Sequence, residues 1–308
     1  MNSTVPFSLY DAFSDVSFGG SQGAVISCSK ELTLAEKQQI AKELGTPATA
    51  FVSKSTQHKV SAQFMSTVME LPMCGHGTIC LMTRMIEDGT IDWNGANKID
   101  VELDLPKGTA IVEIFQRNDG RPLIMLDIAP PAFQKAQIDG DELAALLGID
   151  KSGFEQSLPI EIASADFIHL IVPTRNLSVM RNITPDFNGL IKFCHKHDLE
   201  TIAVFCTEVE QPGYDLHVRD FCPAVGVAES AAAGTTNGAL SSYLIRHQIV
   251  HQDDKGLVII EAEQGHEINR PSSIRSIISI ENDCISRLQV GGVATKVIDG
   301  QLHISAKN

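Results

Sequence analysis

Residues 70–78 read Glu-Leu-Pro-Met-Cys-Gly-His-Gly-Thr, and residues 229–237 read Glu-Ser-Ala-Ala-Ala-Gly-Thr-Thr-Asn. In both stretches a Glu stands four residues before a small residue, a Gly follows, and an apolar run of helical length begins. Each pattern predicts a helix N-terminus whose first backbone N–H groups have no partner in the helix and whose dipole presents positive charge. Two such helix ends facing one another would bind a carboxylate.

Only the first stretch carries a reactive group. Cys74 stands before the glycine of the first stretch, and Ala233 stands at the same position of the second. At a helix N-terminus the dipole is expected to favour the thiolate, which suits Cys74 to remove a proton next to a carboxylate. His76 is a candidate to bind substrate or to tune Cys74, with a packed histidine as the alternative interpretation.

The backbone at the two helix starts predicts the anion site itself. The residues expected to bind the substrate carboxylate are Gly75, Gly77, Gly234 and Thr235. The alternative is that small residues at these positions only permit close helix packing. Glu70 and Glu229 either cap the two helices through their side chains or contact the substrate, and the sequence leaves both interpretations open.

Length and composition favour two ordinary hydrophobic cores. The chain has 308 residues, 43% of them hydrophobic, which suffices for one large core or two smaller ones, and the duplicated pattern favours two. The N-terminus lacks a basic segment followed by an apolar one, and no apolar run approaches the roughly 20 residues that span a bilayer. We therefore expect a soluble, cytoplasmic protein without membrane contact.

Charge and cysteine content exclude several classes of protein. The net charge of −14 comes without a cluster of Lys and Arg, which argues against a nucleic-acid partner. The cysteines are odd in number and lack CxxC pairs, which argues against a disulfide framework or a zinc site: Cys28, Cys74, Cys80, Cys194, Cys206, Cys222 and Cys284. Four histidines without metal-ligand spacing are expected at the surface or in the core: His169, His195, His197 and His217.

The order of predicted elements repeats. The first half begins with strand patterns and a helix that starts at the capping box of Thr33 and Glu36. It continues with two further strands, the helix after Cys74 and a three-strand meander. After Pro130-Pro131 the order recurs. We predict an α+β protein of two similar domains, residues 1–130 and 131–292, with residues 293–308 completing the first.

The chain resembles the phenazine-biosynthesis PhzF family, within the diaminopimelate epimerase and proline racemase superfamily. The resemblance covers nearly the whole chain and rests on these segments: Tyr10–Phe13, Phe18–Gly20, Gln39–Leu44, Thr49–Val52, Glu70–His76, Pro223–Gly226 and Gly291–Gly292. It implies a diaminopimelate epimerase-like fold, in which each domain is a curved, mostly antiparallel sheet wrapped around a central helix. It also implies an active site where both helix N-termini meet.

The resemblance further implies a cofactor-independent enzyme that acts on a small carboxylate metabolite, with no metal and with a homodimer as a candidate assembly. Met73–Thr78 is similar to the proline racemase motif, in which the Cys is a catalytic base. Glu229 falls where that family has an Asp that contacts the substrate amine, so we predict Cys74, Glu229 and His76 as the catalytic residues.

The sequence departs from the family pattern at its acid/base positions. Ala48 replaces the Glu that family isomerases carry before the Thr-Ala-Phe-Val segment, and Ala233 falls where racemases have their second Cys. Ser21 and Ser230 stand where the family has Asn and Asp. Both serines are candidates to hydrogen-bond the substrate, with a plain turn role as the alternative.

Three functions remain open at the level of sequence. The leading hypothesis is a PhzF-like isomerase that transfers a proton at carbon, with Cys74 as acid/base. A second is a single-thiol dehydratase of a hydroxyproline-like amino acid, because elimination needs one base whereas racemisation needs a group on each face. A third is a non-catalytic protein that binds a small carboxylate.

Overall fold

The computed structural model of the chain describes residues 3–27 and 32–304. Among these residues, one unit lies within Met1–Leu126 and Gly291–Asn308, and a second comprises Asp127–Val290. Cys28, at the end of a strand predicted from Gly23, lies outside the described residues. The six cysteines within them are free.

The bounds of the strands and helices define the frame for the site. In chain order the strands are β1 (Ser3–Ala12), β2 (Ser21–Ser27), β3 (Ala48–Ser55), β4 (Lys59–Met65), β5 (Glu70–Leu71), β6 (Lys98–Leu105), β7 (Gly108–Gln116), β8 (Pro122–Asp127), β9 (Ala132–Lys135), β10 (Glu161–Ser164), β11 (Ile168–Pro173), β12 (Thr201–Cys206), β13 (Leu216–Cys222), β14 (Val227–Ser230), β15 (Leu257–Gln264), β16 (Ser272–Glu281), β17 (Cys284–Gly292) and β18 (Ala294–Ile304). The α-helices are α1 (Leu34–Leu44), α2 (Gly75–Glu87), α3 (Gly140–Leu147), α4 (Leu177–Asn182), α5 (Phe187–Lys196) and α6 (Gly234–Arg246).

The first unit combines antiparallel pairs with two parallel crossovers. β1 pairs antiparallel with β2, β3 with β4, β4 with β5, β6 with β7, and β7 with β8. The parallel pairs are β2 with β3, joined through α1, and β4 with β6, joined through α2. β18 returns to this unit and pairs antiparallel with β1 from Ser3↔Ile304 to Ala12↔Ala294.

The second unit repeats this order of strand directions. β10 pairs antiparallel with β11, β12 with β13, β13 with β14, and β15 with β16. The parallel pairs are β11 with β12, joined through α4 and α5, and β13 with β15, joined through α6. β9 adds an antiparallel edge to β10. Within its own unit α6 therefore occupies the topological position that α2 has in the other.

Local capping explains where the outer helices begin and end. Thr33 and Glu36 form the predicted capping box of α1, and Gly45 ends the helix in the left-handed conformation at φ 68°. Asp186 accepts the backbone N–H of Gly189 through its side chain and starts α5. The short helix α4 and the strands β5, β9 and β14 were not predicted from the sequence, because two to six residues give too little periodicity.

The central helices are buried on almost every face. In α2 all residues from Gly77 to Thr83 and also Met85 are buried, and in α6 all residues from Thr236 to Leu244 are buried. A helix that is apolar or small on every side must be surrounded, since no face prefers water. The predicted α+β architecture is confirmed. Among the described residues, no helix combines the length and the apolar character that crossing a membrane requires.

Candidate active site

The start of α2 places Cys74 where the sequence predicts it. Cys74 is the N-cap of the helix, in extended conformation at φ −149° and ψ 112°. Its carbonyl oxygen accepts the backbone N–H of Thr78 at 2.8 Å and the Thr78 hydroxyl at 2.9 Å, which fixes the first turn. The thiol is nearly buried, with the residue 9% exposed. A rigid first turn thus holds the sulfur at the positive end of the helix.

Burial decides the protonation of this thiol. It raises the pKa of Cys74 to about 11, although the backbone N–H groups of Gly77 and His76 lower it in part. Nδ1 of His76 lies 3.4 Å from the sulfur, and burial lowers the pKa of His76 to about 4. Burial therefore opposes the thiolate that the helix start was predicted to favour. At neutral pH a thiol and a neutral imidazole face each other.

The glycines of the first helix start differ in their surroundings. A Cβ on Gly77 would lie 3.0 Å from two ring carbons of Phe64 and 3.3 Å from Cβ of Ala48. Gly77 is therefore required for close packing of α2 on β3 and β4. Gly75 is exposed, and a Cβ there would have only Leu126 Cδ1 at 4.0 Å. Of the two, Gly75 offers the more accessible backbone.

Ser21 begins β2, directly after a tightly constrained loop. Gly20 has φ 56°, and a Cβ there would lie 2.0 Å from the carbonyl oxygen of Ala12, so only glycine fits. Two residues beyond Ser21, a Cβ on Gly23 would lie 2.7 Å from the sulfur of Cys80 in α2. Ser21 is half-buried and pairs with Ala12 in the ladder. Its strand therefore packs against the Cys74 helix.

Side-chain hydrogen-bond donors that could not be predicted from the sequence hold the backbone carbonyls just before α6. The side chain of Gln264 donates to the carbonyl of Ser230 at 2.8 Å, and the Ser272 hydroxyl donates to the carbonyl of Ala231 at 2.6 Å. The Asn237 amide donates to the carbonyl of Ala233, the N-cap, at 2.9 Å. Gly234 and Thr235 follow, both half-buried. These bonds satisfy carbonyl groups, whereas the first helical N–H groups have no acceptor within α6.

Glu229 is bound by an arginine. Nε and Nη2 of Arg219 donate to its two carboxylate oxygens, each at 2.8 Å, and both side chains are 6% exposed. Nη1 of Arg219 donates to the carbonyls of Met180 and Ile183 at 3.0 and 3.1 Å. The pairing gives Glu229 a structural role, and its predicted catalytic contact stays a prediction. It does not cap α6, and Glu70 makes no side-chain hydrogen bond within the described residues.

Ser230 takes the turn role that was the alternative interpretation. Its hydroxyl donates to the carbonyl of Ala232 at 3.2 Å, within the segment that leads into α6. It also lies opposite Asp220 in the β13–β14 ladder. No signal in the sequence could have revealed Arg219, Gln264 or Ser272, because their partners lie 10 to 41 residues away.

His217 belongs to a buried ionic network on the face of β13 that also carries Arg219. Its Nδ1 lies 2.8 Å from Glu263 and its Nε2 lies 2.9 Å from Glu267, and the imidazole is fully buried. Burial alone would lower its pKa, but the hydrogen bonds to Glu263 and Glu267 raise the pKa of His217 to about 9. Within residues 3–27 and 32–304, no group of three or more His, Cys, Asp or Glu is arranged to hold a metal ion.

Comparison with known proteins identifies the family. A family model described as phenazine biosynthesis-like protein (PhzC-PhzF) matches residues 10–300. The chain belongs to this family. An uncharacterized isomerase of Clostridium acetobutylicum is 28% identical over 307 residues, which cover 97% of this chain and 99% of that protein. Trans-2,3-dihydro-3-hydroxyanthranilate isomerase of Pseudomonas chlororaphis is 29% identical over 287 residues, 92% of this chain and 94% of that protein. Because these relatives over nearly the whole chain are named isomerases, the chain is assigned to the isomerases.

Solved structures share the fold. A PhzF-family protein of Bacillus anthracis matches with a TM-score of 0.87 at 23% identity, covering 98% of this chain and all of that one. A hydroxyproline epimerase of Agrobacterium vitis, solved with bound trans-4-hydroxy-L-proline, matches with a TM-score of 0.60 at 11% identity over 98% of this chain and 93% of that one. The predicted PhzF-like, proline racemase-like fold is thus confirmed.

Proposed function

We propose that this PhzF-family chain is a cofactor-independent isomerase that moves a proton between carbons of a small carboxylate, with Cys74 and His76 as the acid/base pair. The observation that carries the proposal is the 3.4 Å contact between the Cys74 sulfur and Nδ1 of His76 at the N-terminus of α2. A proton donor and a proton acceptor there share one positive helix end, where an enolate would be stabilised.

The two resting protonation states define the direction of transfer. The neutral imidazole takes the proton from the substrate carbon, and the electron pair of the broken C–H bond enters the carboxylate-conjugated system. The neutral thiol then gives its proton to a second carbon. Transfer of the imidazolium proton to the thiolate restores both groups, so the cycle consumes nothing and needs no cofactor.

The carboxylate of the substrate is proposed to bind the backbone N–H groups around Gly75 and His76 at the start of α2, and the backbone N–H groups of Gly234 and Thr235 at the start of α6 are proposed as the anion site of the second unit. Two observations support this arrangement. Gly75 is accessible, and the carbonyls before α6 are held by Gln264 and Ser272. The relative from Pseudomonas chlororaphis is named for a ring carboxylate, so a small unsaturated or cyclic carboxylate is the substrate class we propose.

The test is exchange of substrate protons with deuterated solvent. The protein is incubated in deuterium oxide with a panel of cyclohexadiene acids, hydroxyprolines and amino acids, and proton spectra are followed. Deuterium at carbon together with a shifted double bond or an inverted centre supports the isomerase. Loss of water with a new double bond would support a dehydratase, and binding without exchange would support a carboxylate-binding protein.

Matched variants assign the exchange to the site. Cys74→Ser should abolish most deuterium incorporation at the second carbon, to which the thiol delivers its proton, whereas Cys284→Ser, which changes an exposed thiol at the start of β17, should leave it unchanged. Incorporation at the second carbon that persists in Cys74→Ser at the wild-type rate would remove Cys74 from the mechanism.

A further inference from the structure

A buried polar cluster lies directly beneath the start of α6. Its centre is Asp220 of β13, which is 1% exposed. Oδ2 of Asp220 accepts the hydroxyl of Thr236, the third residue of α6, at 3.0 Å, and the thiol of Cys222 at 3.2 Å. Oδ1 is buried and has no hydrogen-bond partner in the described part of the chain. A carboxyl group so enclosed, with half of its hydrogen-bonding capacity unused, is costly to keep for packing alone.

Within the described ranges, no cationic side chain forms an ion pair with this carboxyl group. The neighbouring Arg219 points to the opposite face of β13, where its Nε and Nη2 donate to the carboxylate of Glu229 on β14. Nδ1 of His169 on β11 lies 2.7 Å from the hydroxyl of Thr201 on β12. Burial lowers the pKa of His169 to about 4, so the imidazole is neutral.

The remaining titratable groups that act on Asp220 are Glu229 of β14 and the thiol of Cys222, whose pKa burial raises. Burial raises the pKa of Asp220 to about 6, with the negative charge of Glu229 adding to the effect. The positive end of α6 is thus what remains to balance an ionised Asp220.

We infer that Asp220 is a positioning residue for the substrate anion, holding the first turn of α6 through Thr236 and competing with a bound carboxylate for the positive end of that helix. The two negative charges repel each other through a poorly screened interior. An anion at the start of α6 therefore favours protonated Asp220, and by reciprocity protonated Asp220 favours the anion. Binding is therefore accompanied by uptake of a fraction of a proton from solvent, which is largest near the pKa of Asp220. This inference rests on the proposed carboxylate site.

Sulfate is a suitable probe because it does not titrate in the relevant range. Its affinity is measured by isothermal titration calorimetry at about pH 5 and about pH 7.5, on either side of the pKa of about 6 for Asp220. The two groups of the site proposed at α2, Cys74 and His76, have pKa values of about 11 and about 4, outside this window. We expect the wild-type affinity to fall about fivefold or more as the pH rises, the usual size of coupling between linked sites.

Asp220→Asn keeps the shape and removes the charge, so its sulfate affinity should be the same at both pH values and match the wild type at low pH. Asp166→Asn removes the same charge from an exposed turn between β10 and β11 and should retain the wild-type dependence. Equal pH dependence in Asp220→Asn and wild type would overturn the inference alone. A wild-type protein that binds no sulfate at either pH would overturn the proposed carboxylate site, and this inference with it.

A second variant keeps the test valid if Asp220→Asn fails to fold. Thr236→Val removes the hydroxyl that donates to the Asp220 carboxylate, so the midpoint of the pH dependence should move to higher pH. Thr236→Ser retains the hydroxyl and should keep the wild-type midpoint. An unmoved midpoint in Thr236→Val would show that Asp220 does not act through the first turn of α6.

Discussion

The chemistry of single residues begins with the protonation of Cys74. A thiol with a pKa of about 11 reacts slowly with alkylating agents at neutral pH, because only the thiolate is nucleophilic. Iodoacetamide labelling mapped by mass spectrometry should therefore follow the order Cys284, Cys74, Cys80. The first is exposed, the second 9% exposed and the third fully buried. Labelling of Cys74 should accelerate about tenfold per pH unit up to its pKa, and saturation near neutral pH would contradict the assignment.

Loss of the Cys74 sulfur should affect turnover far more than stability. Cys74→Ser exchanges one atom at a helix start and should lower turnover on an identified substrate by roughly 10²- to 10⁴-fold, the usual contribution of a positioned acid/base. Thermal unfolding should change little. Unchanged turnover would contradict the role of Cys74, while Cys284→Ser serves as the control for a cysteine outside the site.

Variants of the Arg219–Glu229 pair test whether Glu229 has a structural or a catalytic role. Glu229→Gln keeps the shape and one hydrogen bond, so it should lower the free energy of unfolding by less than Arg219→Met. The arginine variant leaves a buried carboxylate unpaired, which costs about 3–5 kcal/mol. Urea unfolding measures both. A Glu229→Gln variant with wild-type stability but turnover reduced a hundredfold or more would restore the catalytic interpretation.

At the scale of elements, the two glycines of α2 provide a matched pair. Gly77→Ala places a methyl group 3.0 Å from the Phe64 ring and should destabilise the protein by about 1–3 kcal/mol, since α2 would have to move away from β4. Gly75→Ala meets nothing closer than 4.0 Å and should be nearly neutral. Denaturant midpoints report both changes, and equal effects would show that Gly77 does not limit the packing of α2.

The hydrogen bonds of His217 on β13 with Glu263 and Glu267 should make the free energy of unfolding depend on pH. His217 has a folded pKa of about 9, above the ordinary 6.5, so its contribution is complete below pH 6.5 and is lost as the pH rises through 9. The loss should be on the order of 3 kcal/mol for a fully buried imidazole. Urea unfolding between about pH 6 and about pH 9.5 measures it, and His217→Gln should flatten that slope.

Elements with strong local signals could be predicted from the sequence. Thr33, Glu36 and Gly45 define α1 through contacts within one turn, and the central helices follow from their apolar runs. The candidate site was predictable where local sequence defines a helix start, as for Cys74, His76 and Gly234. Long-range side-chain contacts such as that of Arg219 with Glu229 could not be predicted. A strand pattern shows which residues share a face but not which distant residues their side chains contact.

The pairing of β18 with β1 has a consequence for how the chain is made. Asp127–Val290 is continuous in sequence, whereas the other unit needs Ala294–Ile304 to cover β1. At typical synthesis rates these residues leave the ribosome roughly 10–30 s after residue 126. The unit translated first is therefore the one completed last, and β1 presents an open edge to chaperones, or to other nascent chains, throughout that interval.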